Sequence, residues 1–464
     1  VDAVLSAVLV IGFFAVLALV VLRARAAREY AEFSLAKRSL PLALIFASLC
    51  ATYIGPGFSI GFVGKGFQSG LLFLCVGLAY SAQNILVGLF LAPRLRSLSD
   101  CHTLGDAMGH KYNRACQVLT GVISVGLSAG LCAVMAHAVG DVVEQVFGIP
   151  LWVAAILMVA IATLYTSLGG LKTSIMTDAL QFGVFSILMP AMFLFALARD
   201  SGHGAAAFSG ELATATSAGF RSMSPVEIVG WIAAFLLGET LIPPYANRAL
   251  ATQSSQASRN SFVLAGVFSL LWFTMMISLG AVARTVVPGE TEGDHVLLSL
   301  VRTTMPIEGR MLLLIALIAV IMSSLDALMN AGAVVFTQDV VKPLARLSDR
   351  RALTCGRVAT VVIALVAAAA ATAVPEIITG LFICYTIWAP TILPAAVLGL
   401  WLKKPRPLAG LLSIIAGATT AVPLQIIDQV RPGALGVPPI LPALAVSLAA
   451  YFVGDILVRF RERS

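Results

Sequence analysis

The chain has 464 residues, of which 59% are hydrophobic and only 11% charged, and its mean hydropathy is +0.96. A globular water-soluble chain carries about a quarter charged residues, so this composition excludes a soluble domain. The net charge of +7 suggests nucleic acid only until its placement is traced, because the basic residues follow membrane topology.

Largely apolar runs of 18 or more residues recur along the chain, each long enough to cross roughly 30 Å of hydrocarbon. They predict an all-α polytopic membrane protein, one transmembrane domain over 1–464 with about thirteen spans. These lie near 1–22, 42–67, 70–93, 114–146, 150–168, 174–198, 225–248, 258–287, 308–341, 353–374, 377–402, 407–427 and 437–458. The first run lacks a small-residue cleavage site and is followed by a basic, polar stretch, so it reads as a retained helix. The second, Pro41 to Lys65, is interrupted by Gly55-Pro56-Gly57, and Lys65 at its end reads as a snorkelling interfacial residue. Asp178 opens the sixth, just after Gly169-Gly170. There it either complements the helix dipole or serves an ion or a proton. The seventh, Val226 to Arg248, carries Gly238-Glu239-Thr240 and then Pro243-Pro244. Glu239 beside that break binds a cation, pairs with a basic residue or is protonated; the sequence leaves the three open.

The second and seventh spans are thus both discontinuous, and they lie five apart. In secondary transporters with inverted repeats, helices broken in this way present unpaired backbone groups at the bilayer midplane, and those groups hold ions and substrate. The ninth span adds Ser323, Ser324, Asp326 and Asn330 to an apolar background. Ser323, Asp326 and Asn330 share one face, which has to point into the bundle. Two adjacent hydroxyls with a free carbonyl make an oxygen-only site suited to an alkali cation. The alternative is that both serines bond back to the preceding turn of their own helix.

With the amino terminus outside, about 23 of the 30 basic residues fall on inward loops, among them Arg94, Arg96, Lys172, Arg248 and Lys342. This is the bias of the positive-inside rule, and it puts the carboxyl terminus in the cytoplasm. The connections 199–224 and 284–309 are expected outside, the first loosely ordered and the second with room for a short helix; 94–113 is expected inside. The seven cysteines lie mostly within spans or on inward loops, which predicts no disulfide framework. No phosphate-cradling loop, metal-ligand cluster or catalytic constellation is present in the sequence, so no enzymatic activity and no nucleic-acid partner are expected.

Three stretches go further. Tyr165-Thr166-Ser167-Leu168-Gly169-Gly170-Leu171-Lys172, continuing to Thr177-Asp178-Ala179-Leu180-Gln181, resembles a signature of the sodium:solute symporter family. Met322-Ser323-Ser324-Leu325-Asp326 with Phe336-Thr337-Gln338-Asp339 resembles its second signature, and Ala47-Ser48-Leu49-Cys50-Ala51-Thr52 its broken-helix segment. Gly77-Leu78-Ala79-Tyr80-Ser81, Arg94-Leu95-Arg96-Ser97 and Asn247-Arg248-Ala249-Leu250 are similar to the high-affinity choline transporter branch. The resemblance covers about residues 40–410.

It implies a five-plus-five inverted repeat of the leucine-transporter type. One repeat would span about 42–198 and the other about 225–402, with peripheral helices at 1–22, 407–427 and 437–458. The main sodium site would use the backbone carbonyls of Ala51, Ile54 and Val320 with the hydroxyls of Ser323 and Ser324. A second cation or proton site would involve Asp178, with Asp326 and Ala327 standing where some members have hydroxyls. The aromatic cage positions of the choline branch fall on Tyr53, Tyr80, Leu131 and Ile242. Two are aliphatic, which argues against choline. Gly55, Phe58, Glu239 and Thr240 would complete the cavity, and no arginine falls among the matched positions.

The expected function is symport into the cell of a small zwitterionic or cationic organic solute, driven by Na+ as coupling ion, across the inner (plasma) membrane by alternating access. Proton coupling through Asp178, Asp326 and Glu239 is the alternative, and a membrane sensor subunit a weaker one. The partners expected are the solute, sodium and the lipid bilayer; oligomeric state is not readable.

Overall fold

The computed structural model describes residues 2–24, 27–98, 100–199, 224–431 and 433–462. Most of the 199–224 connection therefore lies outside the described residues. The chain is helical, and its outer helices turn large apolar side chains such as Ile11, Leu164, Ile187, Leu271 and Leu365 outward. Facing water that surface would be costly, and facing hydrocarbon it costs nothing, so the protein is an integral, multi-pass membrane protein.

Among the described residues, nine helices are long and apolar enough to cross a membrane, and three shorter ones are Val8–Ala24, Leu42–Tyr53 and Pro225–Leu237. Helix length and span number differ for two reasons. Glycine turns leave neighbouring spans formally continuous: Leu151–Arg199 runs through Gly170 at φ 65°, ψ −162°, and the stretch Gly57–Arg96 turns at Gly70. Conversely, the second and seventh spans are each divided. The first ends as Leu42–Tyr53 and resumes at Pro56, through one wide turn, into Phe62–Ser69. The other opens with a capping box, Ser224 and Glu227 exchanging bonds, and runs Pro225–Leu237. It resumes as Pro243–Ala251 after Leu241, which sits at φ 54°.

Both stops are written in the sequence. Proline has no N–H to donate and disfavours helix in the residue before it, so Gly55-Pro56 and Ile242-Pro243-Pro244 end the ladder and restart it in a new direction.

Helix Ile307–Val335 forms the axis. Of the most apolar window of the span that contains it, 89% is buried, and it packs on Leu151–Arg199, Arg114–Phe147 and Asp349–Ala370. Pro407–Val430 and Ile440–Arg461 pack on each other and on Ile377–Trp401 at the edge, mostly exposed to lipid.

Gly170 carries a prediction. A side chain is strained at its backbone angles, and a Cβ there would lie 2.7 Å from Phe33 Cα. Gly170→Ala is expected to cost about 1–3 kcal/mol from backbone strain alone, read as a lower melting temperature and a lower yield of monodisperse protein. A variant with unchanged melting would show that the turn tolerates a side chain.

Candidate functional site

At the first break, residue 56 is proline, so the carbonyl of Thr52 loses the N–H that would close its helical bond. Ile54 still donates to Cys50 O at 2.9 Å, but at φ −94°, ψ 64° its backbone leaves the helix. The axial helix meets this frayed end. Ser323 Oγ shares its one proton between Ala51 O at 3.0 Å and Val320 O at 2.9 Å. Ser324 Oγ lies 3.5 Å from Thr52 O and 3.4 Å from Val320 O. All five residues are buried. The result is a dry cluster of neutral oxygens drawn from two elements. Hard oxygen donors without net charge suit a monovalent alkali ion, so the residues present fit sodium.

The second break places Glu239, 4% exposed, among aromatic rings. Tyr245 Oη donates to its Oε2 at 2.5 Å and Tyr385 Oη to its Oε1. A narrow cavity of about 20 Å³ lies between the two breaks, lined by residues including Gly55, Phe58, Leu131, Glu239 and Ile242. Three other residues predicted for it, Tyr53, Tyr80 and Thr240, stand behind the wall. Tyr80 stacks on Phe58 with ring centres 4.5 Å apart, and Tyr53 lies 4.0 Å from the Tyr245 ring. Thr240 accepts from Gln83 through its hydroxyl and from Trp388 through its carbonyl, both at 3.2 Å. Tyr245 and Tyr385 take the lining positions instead. Tyr245 could have been found, since it directly follows Pro243-Pro244; Tyr385 gives no sequence signal.

A polar cluster one turn along the axial helix brings Asp178 and Asp326 into one neighbourhood. Asp326 accepts from Ser174 and Thr177, each at 3.2 Å. Asp178 Oδ2 accepts from Ser48 at 2.5 Å and pairs with Arg248 Nη2 at 2.7 Å. Arg248 also donates to Ser48 Oγ and Pro244 O.

Two expectations change here. Arg248 is not on an inward loop. The break redirects the chain, and the half-helix Pro243–Ala251 runs wholly buried, taking the guanidinium to 0% exposure. Asp178 is not at a helix start either, because the helix resumes at Leu171, about two turns earlier. Asn330 is fully buried on the axial helix. Lys65 departs from a snorkelling role too: its ammonium pairs with Glu376 at 3.4 Å and lies 5.6 Å from the Trp231 ring centre.

Two broken helices crossed by an axial helix, with an oxygen cluster at one break and a narrow cavity between the two, define a secondary transporter. A family model confirms the class and narrows it: the sodium:solute symporter family model matches residues 33–417, and the chain belongs to that family. It is 25% identical to the sodium/pantothenate symporter of Escherichia coli (strain K12), over 91% of this chain and 90% of that one. It is 26% identical to high-affinity choline transporter 1 of Caenorhabditis elegans, over 60% of this chain and 50% of that one. A solved Na+-coupled sialic acid symporter, in a substrate-bound outward-open state, matches with a TM-score of 0.80 at 15% identity, covering 97% of this chain and 98% of that one. The fold is therefore of the leucine-transporter type, and the activity is sodium-coupled solute symport, with Na+ as the coupling ion.

Proposed function

We propose that sodium binds at the first break, on the carbonyls of Ala51, Ile54 and Val320 and the hydroxyls of Ser323 and Ser324. The solute, small and zwitterionic or cationic, occupies the adjoining cavity, and the two are carried into the cell together. The observation that supports this most directly is the approach of the Ser323 and Ser324 hydroxyls to the carbonyls of Ala51 and Thr52. Thr52 and Ser324 also line the cavity, so ion and solute share a wall. An ion that draws these oxygens together shapes the solute's surface, and by linkage the solute strengthens the ion site equally, typically by 1–3 kcal/mol in this kind of coupling.

The cavity's volume is about that of one water molecule, so loading a solute requires its walls to part. Rocking of the repeat 42–198 against the repeat 225–402 would supply that movement. The basic residues left on loops support an amino terminus outside and a carboxyl terminus in the cytoplasm of an inner (plasma) membrane.

Thermal unfolding of the purified protein in sodium and in potassium at equal ionic strength tests this reading. Sodium is expected to raise the melting temperature, and a transported solute to raise it further only in sodium. Identical curves in the two salts, with solute stabilisation appearing only as pH falls, would move the coupling to protons.

A further inference from the structure

The cavity's ionisable chemistry is one-sided. Among the described residues Glu239 is the only carboxyl group lining it, and no lysine, arginine or histidine does. Among the described residues Glu239 has no ion pair. Its partners are two neutral phenols, both donating, which leave each carboxylate oxygen with accepting capacity. A buried carboxylate held only by neutral donors lacks its countercharge.

Backbone at the breaks points the same way. The half-helices that start at the cavity begin with Pro56 and with Pro243-Pro244, which have no N–H. The next donors of the second, Tyr245 and Ala246, are both spent on Ile242 O at 3.0 Å. The amide cradle that a helix start offers to an anion is thus missing there. The ends of Leu42–Tyr53 and Pro225–Leu237 that face the breaks are carboxyl-terminal ends, which carry partial negative charge. About two turns beyond the cavity along its lining helices, Asp141, Lys65 and Glu376 meet the connection that carries Glu292, Asp294 and His295, with His295 against Asp141 and Glu292, Lys65 against Glu376 and the Ile377 amide donating to Asp294. Asp294 is lifted to about 6 by burial and by Glu376 and Asp141 beside it, so it is still largely ionised at neutral pH. This rim attracts cations.

We infer that the transported solute is a protonated amine whose ammonium group is held by Glu239, with Phe58, Tyr245 and Tyr385 around it. The inference rests on the placement of the solute between the two breaks proposed above. N–H bearing amines fit better than quaternary ammonium ions for two reasons. The acceptor is a carboxylate with lone pairs to spare, and Leu131 and Ile242 supply aliphatic walls where a ring cage would need aromatics. A free carboxylate on the solute has nothing to meet it.

Probes of similar size and different charge test this: benzylammonium, benzyl alcohol and benzoate, then propylammonium, propanol and propionate, with tetramethylammonium as the quaternary case. Each is added at millimolar concentration to the purified protein in sodium and in potassium, and thermal unfolding is read. The primary ammonium probes are expected to raise the melting temperature by several degrees in sodium, with the alcohols, carboxylates and tetramethylammonium inert. In Glu239→Gln the shift due to sodium alone is expected to remain, while apparent affinity for the ammonium probes falls at least about 30-fold.

Shifts from benzoate or tetramethylammonium as large as those from the amines overturn the proposal. So do the absence of any ammonium shift in the unmodified protein and the survival of that shift in Glu239→Gln. The comparison among probes needs only the unmodified protein, so it decides even if the variant does not fold. An ammonium shift in a protein that ignores sodium would support the Glu239 anchor and refute the sodium site, which separates the two readings.

Discussion

Ser323→Ala is expected to weaken sodium binding by about 10- to 100-fold, the loss of one hydrogen-bond-strength contact to a charged group, and with it to remove sodium stimulation of uptake at ordinary sodium concentrations. The argument starts from geometry. The Ser323 hydroxyl lies 3.0 Å from Ala51 O and 2.9 Å from Val320 O, so it is the atom that joins the frayed helix to the axial one. An ion among these oxygens replaces the hydroxyl's single donated proton, shared between the two carbonyls, with its own charge, and the hydroxyl turns its lone pairs inward. Alanine supplies neither arrangement. In potassium the variant should also melt somewhat earlier, because the buried carbonyls lose the hydroxyl proton they share. Ser324→Ala should act less on the ion, since its contacts are looser at 3.4 and 3.5 Å, and more on the solute, whose wall it forms. Initial uptake rates as a function of sodium concentration measure both, and unchanged sodium activation in Ser323→Ala would remove the site from these residues.

What the sequence makes legible is what departs locally from an apolar background. Gly55-Pro56 and Pro243-Pro244 stop helices wherever they occur, so both breaks can be read without any knowledge of packing. Hydroxyls and a carboxylate on one face of an otherwise apolar helix have to point inward, so the stripe through Ser323 and Asp326 can be read as well. Which aromatic rings reach the cavity cannot. A helix that is apolar all round gives no periodic signal of its inward face, and Tyr53, Tyr80 and Tyr385 look equivalent in the sequence, although of the three only Tyr385 lines the wall. Pairs across long separations are equally silent: Lys65 meets Glu376 311 positions away. Arg248 is misread for a third reason. Counting charges on loops assumes that a span ends where basic residues begin, but a half-helix redirected by a break carries its arginine into the bundle.

Arg248→Met is expected to be the most damaging single substitution in the protein, and more damaging than Asp178→Asn. The reason lies in the sign of what each leaves behind. Arg248, Asp178 and Asp326 are all fully buried, one guanidinium against two carboxyl groups. Removing the guanidinium leaves both carboxyl groups in the interior without a cation beside them, held by hydrogen bonds from residues such as Ser48, Ser174 and Thr177. Removing the Asp178 carboxyl leaves Arg248 with Asp326 still in its neighbourhood. Breaking a buried pair by deleting one partner typically costs 3–5 kcal/mol, a large share of the 5–15 kcal/mol that keeps an ordinary domain folded. Arg248→Met should therefore give little monodisperse protein in detergent and Asp178→Asn a reduced but measurable melting temperature. The double variant Arg248→Met with Asp178→Asn should recover most of the loss, since one neutralised carboxylate can then share hydrogen bonds with the other. In the repeats proposed above, Ser48 and Asp178 fall in the first and Arg248 in the second, so on that proposal the coupling in this cycle measures an attachment between the halves that would rock against each other. If Arg248→Met melts at or above Asp178→Asn, the guanidinium is not what holds this cluster's charge, and a bound cation would have to be doing so.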